Sequence, residues 1–254
     1  MNSPNSFYSY DVHKFPINCI EFFDKDKLLS CDSQIHLWSK HTGKIIWKIE
    51  NEAYTTFSLL HNQNILAGAH SGMLNFLDTE TGTVTKEWIS PSASQSSVRS
   101  VVSVGENLVA AGYSSGIITL FDIRTGLIGH TWKAHNGTLT HLKSIGERNL
   151  LSASNENVIE MWDISQHEPP LHIKSFRAQK ETTFDFDIKN DKIYIGSGSK
   201  LHKSSLKFDD TNKMEPVLKL SKSLKPNLIT SIHTLTFHEL ALLGMESGEI
   251  KIVY

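Results

Sequence analysis

The residues of this chain that could do chemistry are thirteen histidines, two cysteines and a spread of serines and carboxylates. A zinc site of thiolates and imidazoles needs closely spaced pairs. Cys19 and Cys31 stand twelve apart with no histidine pair after them, so the sequence predicts no metal centre. A phosphate cradle of the G-x-x-x-x-G-K type is missing. Composition leaves a Ser-His-Asp arrangement open, but the chain lacks the G-x-S-x-G turn that exposes a nucleophilic serine. The reading is therefore no cofactor and no enzyme.

The elements that must hold these side chains repeat. Val158-Ile159-Glu160-Met161-Trp162-Asp163 alternates apolar and polar residues and is one copy of a recurring unit. Trp38, Leu77, Phe121 and Trp162 fall in register, at steps of 39, 44 and 41 residues. Self-similarity at about 40–45 residues with four short strands per unit resembles the WD40 β-propeller. The fold class expected is all-β, a single repeat domain over residues 1–254, with about six blades that could form part of a seven-bladed ring.

The predicted strands of the first unit are Ile17–Phe23, Lys27–Cys31, Gln34–Ser39 and Lys44–Glu50. The second has Thr55–Leu60, Asn64–Gly68, Met73–Asp78 and Thr83–Ile89. The third has Val98–Val104, Leu108–Gly112, Ile117–Asp122 and Leu127–Lys133. The fourth has Leu139–Ile145, Asn149–Ala153, Val158–Asp163 and Leu171–Phe176. The looser fifth has Thr183–Ile188, Lys192–Gly196, Lys200–Leu206 and Pro216–Ser221. The sixth offers three: Ile229–Leu235, Leu240–Met245 and Glu249–Tyr254. An unpaired edge is a liability, so Phe7–Asp11 is expected to pair with Glu249–Tyr254 and close the sixth blade. Glycines at the same turn position, Gly43, Gly82 and Gly126, support the register, because a tight hairpin needs one residue at positive φ.

A net charge of −2 excludes the basic excess of a nucleic-acid binder. Two cysteines, each in a predicted strand, read as reduced, buried thiols of a reducing compartment. No apolar run approaches the roughly 20 residues that span a bilayer, and Met1–His13 lacks the apolar segment of a secretory signal. The expected location is cytoplasmic. Between Lys200 and Lys225 seven lysines face Asp209, Asp210 and Glu215, which reads as a solvated loop with charged edge strands. Phosphoinositide-binding propellers carry adjacent arginines. The four arginines here, Arg99, Arg124, Arg148 and Arg177, are all separate.

Resemblance to WD40 units implies a buried hydrogen-bond set in a blade: His before the first strand, Ser or Thr in the second, Trp in the third, and Asp in the turn between. His13, Ser30, Asp32 and Trp38 fit one set. His135, Ser152 and Trp162 fit another, with Glu156 in the place of the Asp. These roles are structural.

Ala111-Gly112-Tyr113-Ser114-Ser115-Gly116, Asp122-Ile123-Arg124-Thr125-Gly126-Leu127 and Trp132-Lys133-Ala134-His135 resemble a propeller of the BEACH-domain family of WD-repeat proteins. So do Ser30-Cys31-Asp32, His36-Leu37-Trp38 and Leu242-Leu243-Gly244-Met245-Glu246-Ser247-Gly248. The resemblance implies a scaffold in endosome maturation, autophagy and clearance of ubiquitinated aggregates, on the cytosolic face of endosomes or autophagosomes. Its implied partners are a second WD-repeat protein and the class III phosphatidylinositol 3-kinase complex. Candidate partner-binding residues are Arg99, Tyr113, Arg124 and Arg148, at or near strand ends. The alternative is a substrate receptor of a cullin ubiquitin ligase, since Phe121-Asp122-Ile123-Arg124 partly matches the adaptor-contacting pattern. A propeller hydrolase, which would need inward-facing carboxylates, ranks below both.

Overall fold

The computed structural model describes residues 13–60, 64–165, 169–177, 183–207, 215–219, 228–235 and 241–253. The chain divides into two compact units, Met1–Lys133 and Ala134–Tyr254.

The first unit holds three four-stranded antiparallel sheets, or blades, with consecutive strands side by side. Blade 1 is β1 (Cys19–Phe22), β2 (Lys27–Cys31), β3 (Ile35–Ser39) and β4 (Ile45–Ile49). Blade 2 is β5 (Tyr54–Leu59), β6 (Ile65–Ala69), β7 (Met73–Leu77) and β8 (Val84–Ile89). After a short 3-10 turn, Pro91–Ala93, blade 3 is β9 (Val98–Val104), β10 (Leu108–Tyr113), β11 (Ile117–Asp122) and β12 (Ile128–Lys133).

In the second unit, blade 4 is β13 (Leu139–Ile145), β14 (Asn149–Ser154), β15 (Val158–Asp163) and β16 (Leu171–Arg177). Blade 5 is β17 (Thr183–Lys189), β18 (Lys192–Ser197), β19 (Lys200–Ser205) and β20 (Glu215–Lys219). Blade 6, among the described residues, has β21 (Ile229–Thr234), β22 (Ala241–Met245) and β23 (Ile250–Val253). The expected closing strand Phe7–Asp11 lies outside the described residues, as does most of the lysine-rich stretch beyond Lys207.

Strands alternate their side chains, so each blade has two faces. One face of blade 1 (Leu29, Cys31, Ile35, Leu37, Trp47, Ile49) packs with Tyr54, Phe57, Ile65, Ala67 and Leu77 of blade 2. The other face of blade 2 (Leu66, Leu74, Phe76) packs with Val98, Val109, Ala111 and Phe121 of blade 3. Blades 4 and 5 meet through Leu151, Ala153, Met161, Phe186 and Ile195. Blades 5 and 6 meet through Leu201, Ile229, Ile232 and Leu243. Between blades 2 and 3 the approach is so close that a Cβ on Gly68 would fall 2.4 Å from Val98 Cγ1.

The third-to-fourth-strand turns behave as their glycines predict. Gly43, Gly82 and Gly126 have φ of 64°, 71° and 72°. At the last two, the indoles of the preceding blade lie against the turn: a Cβ would sit 2.7 Å from Trp47 at Gly82 and 2.4 Å from Trp88 at Gly126. A side chain there would be strained in backbone and packing alike. In blades 1 to 5 the third-to-fourth pairing shifts register by a bulge, at the Trp38, Leu77, Phe121, Trp162 and His202 positions. The bulge re-aims the strand at the position where the indole, when present, must turn inward.

Candidate functional site

Ser30 on β2 pairs with His36 on β3, and Trp38 lies two residues on along the same face. The Trp38 indole N–H donates to Ser30 Oγ at 2.7 Å. Ser30 Oγ and His13 Nε2 are 2.6 Å apart. An indole only donates, so the serine hydroxyl accepts from it and spends its own proton on Nε2. That assigns the His13 hydrogen to Nδ1 by inference from the bonds. Nδ1 faces Asp32 Oδ2 across 3.3 Å, without a well-aligned hydrogen bond. Asp32 Oδ1 takes the backbone N–H groups of Ser33 (2.6 Å) and Gln34 (2.7 Å). Burial alone would raise the Asp32 carboxyl; the Gln34 N–H, the His13 ring and the Ser33 N–H outweigh it and hold the carboxyl below its usual range.

The order Ser-His-Asp is that of a hydrolytic triad, but the arrangement cannot serve one. Ser30 is 2 % exposed, and a donor already occupies its oxygen. A nucleophile must reach substrate and have a lone pair to offer. Buried and bonded through the Ser30 oxygen, the set instead fixes β2, β3 and the segment before β1 to one another.

Blade 4 repeats the chain and ends it differently. His135 Nε2 lies 2.7 Å from Ser152 Oγ, and Trp162 Nε1 donates to the same oxygen at 2.9 Å. The expectation that Glu156 stands where Asp32 does needs correction. Counting from the serine along β14, Ser154 holds that place. It is completely buried, and its hydroxyl accepts the Glu156 backbone N–H at 3.4 Å. The Glu156 side chain packs beside Gly137 instead. The physical reason is length: the second-to-third turn of blade 4 spans 155–157 after a strand that runs on to Ser154, whereas β2 ends at Cys31. Opposite Ser152, where blade 1 has His36, stands Glu160, whose Oε2 meets His172 Nε2 and Ser175 Oγ, each at 2.5 Å.

Blades 2 and 3 lack the indole and carry other buried links, which the sequence reading missed. Asn75 donates to Tyr54 Oη at 2.9 Å, and that hydroxyl donates to Asn51 Oδ1 at 2.9 Å. Ser90, Thr119 and Thr131 form a hydroxyl chain at 3.0 and 3.2 Å.

The second unit does hold a carboxylate pair on one face of one strand, Asp185 and Asp187 of β17. Both are committed to structure. Asp187 Oδ1 takes the Ile188 N–H (2.9 Å) and the Lys143 ammonium (2.6 Å). Its Oδ2 takes the Thr234 N–H (2.6 Å) and hydroxyl (2.9 Å). One side chain thereby ties β13, β17 and β21. Burial pushes its pKa up, but the Lys143 charge and these bonds bring it below the usual carboxylate value. Asp185 takes the N–H groups of Phe186 (2.8 Å) and Ile232 (2.9 Å). The signal for the pair is Asp-Phe-Asp in a strand whose neighbours are apolar.

The partner-binding candidates do not gather in one place. Tyr113 is corrected outright: it is fully buried in the core between blades 2 and 3, its hydroxyl has no hydrogen-bond partner, and burial pushes its pKa well up. It alternates with Val109 and Ala111 on the inward face of β10. Arg99 is exposed at the start of β9. Arg124 is exposed in the β11–β12 turn, at the other end of the same blade, with its guanidinium 2.9 Å from Asp122 Oδ2. That guanidinium is the main reason the Asp122 carboxyl is lowered to about 2. Arg148 is exposed in the β13–β14 turn of the second unit. The thiols are poor nucleophiles, since burial raises Cys19 to about 11 and Cys31 to about 12. His13, Asp32 and His36 bring one potential ligand atom each to within 4.8 Å of the others.

No family model matches the chain. It is 30 % identical over 238 residues to WD repeat-containing protein 81 of Danio rerio, covering 89 % of this chain and 11 % of that protein. It is 26 % identical to the human WD repeat-containing protein 81, again over 89 % of this chain and 12 % of that protein. It is also 26 % identical over 99 % of its length to a probable inactive serine/threonine-protein kinase, lvsG, of Dictyostelium discoideum, covering 13 % of that protein. The chain thus spans about one-eighth or less of the length of the curated relatives it matches. Among solved structures, U3-55K and the RRP9 WD40 repeats each match with a TM-score of 0.80 at 13 % identity, over 96 % of this chain and 78 % and 77 % of theirs. The fold is a WD40-type β-propeller with six blades among the described residues, and its sequence is similar to WD repeat-containing protein 81.

Proposed function

We propose that the chain is a protein-binding scaffold of endosome maturation and autophagy, acting with a second WD-repeat protein and the class III phosphatidylinositol 3-kinase complex. The observation that carries this reading is its similarity to WD repeat-containing protein 81 over 89 % of its length. Ser30, Ser152, Asp185 and Asp187, each occupied by structural bonds, agree with it. Binding energy in such scaffolds concentrates in a few anchors, often arginine beside apolar groups. Arg124 is the strongest candidate, because Leu127 (68 % exposed) and Ile128 lie exposed beside it. Arg99 and Arg148 are further candidates. The expected location is cytoplasmic, at the cytosolic face of endosomes or autophagosomes. Among the described residues no helix is long and apolar enough to cross a membrane.

The second reading, a substrate receptor of a cullin ligase, is favoured by one feature: Phe121-Asp122-Ile123-Arg124 presents its arginine outward, braced by Asp122. Affinity capture from cytosol with mass spectrometry separates the two. The proposal expects the lipid-kinase complex or a second WD-repeat protein. Cullin adaptors in their place would establish the alternative, and capture of neither would overturn both.

A further inference from the structure

Each blade has a cross-strand pair near the start of its first strand, beside the turn that leaves its second. In blades 2 to 6 the pair is Thr56–Gly68, Ser100–Gly112, His141–Ala153, Asp185–Gly196 and Ser231–Gly244. The second-strand member is always small. A Cβ on Gly196 would stand 2.8 Å from Ile229, much as one on Gly68 would meet Val98. The first-strand member is always polar. Blade 1 departs on both counts: its pair is Cys19–Cys31. Cys31 follows Ser30 as Ala153 follows Ser152, so the places correspond. A buried cysteine commonly acts as a small apolar filler. Filling does not explain a thiol on each side of the same pair, in this blade alone.

Residues directly opposite on antiparallel strands share a face. Cys31 lies in the core between blades 1 and 2, and Cys19 packs at its margin, with its sulfur 3.9 Å from the Phe57 carbonyl oxygen. Opposed Cα atoms of such a ladder stand about 4.5 or 5.5 Å apart, and a disulfide spans roughly 4.4–6.8 Å. After burial, the charge of Cys19 is the next influence that raises the Cys31 thiol, which places the two sulfurs within electrostatic reach. Both are free thiols.

We propose that Cys19 and Cys31 are a redox-sensitive pair that hydrogen peroxide converts into a cross-strand disulfide. Cys19 meets the oxidant, because it is partly exposed and Cys31 is completely buried. Its thiolate attacks one peroxide oxygen, the O–O bond breaks, and the departing oxygen leaves as water, giving a sulfenic acid. The Cys31 sulfur then attacks the Cys19 sulfur and expels the hydroxyl, which takes the Cys31 proton and leaves as a second water. Each thiol is oxidised by one electron, and the peroxide gains both. Burial holds the Cys19 thiol up at about 11, so thiolate is scarce at neutral pH and the pair closes only under sustained oxidant. The bond fastens β1, three of whose four residues are exposed, to β2. It does so on the face opposite the Ser30–His13 link, since Ser30 and Cys31 are adjacent in a strand.

The test is treatment of the folded full chain with hydrogen peroxide, then trypsin digestion without reductant and mass spectrometry. Cuts after Lys14, Lys25, Lys27 and Lys40 leave the two cysteines on peptides 15–25 and 28–40. The pair predicts these peptides joined, at their summed mass less two hydrogens, and released by dithiothreitol, with circular dichroism unchanged. Cys31→Ser should stop at the sulfenic acid, which dimedone traps at Cys19. Cys19→Ser should take up neither oxygen nor dimedone at Cys31. A link that forms only in urea, a bond to another copy of the chain, or Cys19 oxidised while Cys31 stays free would overturn the proposal. The wild-type digest decides this without either variant.

Discussion

Blades 1 and 4 start from the same Trp-Ser-His chain and finish it differently. In blade 1 a carboxylate held by two backbone N–H groups stands beside the histidine, and a second histidine lies against the first. In blade 4 a serine hydroxyl holds the carboxylate's place, and the acid on the facing strand is turned to surface partners. Both are closed and stable, so the tryptophan-to-histidine part is the structural minimum. What lies beyond the histidine is free to vary, and blade 1 has used that freedom to gather ionisable groups in a buried place.

The largest expected effect is loss of the indole. Trp38→Ala and Trp162→Ala should each cost about 3–5 kcal/mol in urea unfolding, from the cavity and the orphaned serine oxygen. The Trp38 loss should be the larger, as Trp38 is 3 % exposed against 8 % for Trp162. Equal losses would show that the ionic end of blade 1 adds nothing to its packing. Next comes the end group itself. Asp32→Asn should cost about 1–3 kcal/mol at neutral pH, and Ser154→Ala in blade 4 about 1 kcal/mol or less.

That contrast has a pH signature. The Asp32 carboxyl is held below its unfolded value, so its contribution is fully present above about pH 4 and is lost as pH falls through the lowered folded value. Wild type and Asp32→Asn should therefore converge in stability on acidification, while wild type and Ser154→Ala keep a constant gap. The smallest effect on stability belongs to the surface. Arg124→Ala should change unfolding by no more than about 0.5 kcal/mol while reducing capture of partners. A variant that binds as well as wild type removes Arg124 as an anchor.

The strands were legible because each unit is punctuated: Gly82 and Gly126 sit at positive φ where the hairpins need them, and β9, β11, β13 and β15 begin and end where alternation and turn residues place them. The tryptophan, serine and histidine of each set were legible too, since the repeat fixes their spacing. Three things were not. Tyr113 looked like a strand-end anchor, although its parity with Val109 and Ala111 already put it on the buried face. Glu156 was assigned by its charge, when the distance along the strand from Ser152 points to Ser154. The Asp187 tie among three innermost strands depends on contacts between residues more than forty apart in sequence, and no local pattern encodes it.

The central claim is that the buried serine sets hold blades together and do no chemistry. Equilibrium urea unfolding of Ser30→Ala beside Ser152→Ala tests it most directly. Each variant strands an indole N–H and a histidine nitrogen, so each should lose about 1–3 kcal/mol, with the greater loss in blade 1, where Asp32 completes the set. Midpoints unchanged from wild type in both variants would contradict the account and return Ser30 and Ser152 to the list of candidate reactive groups.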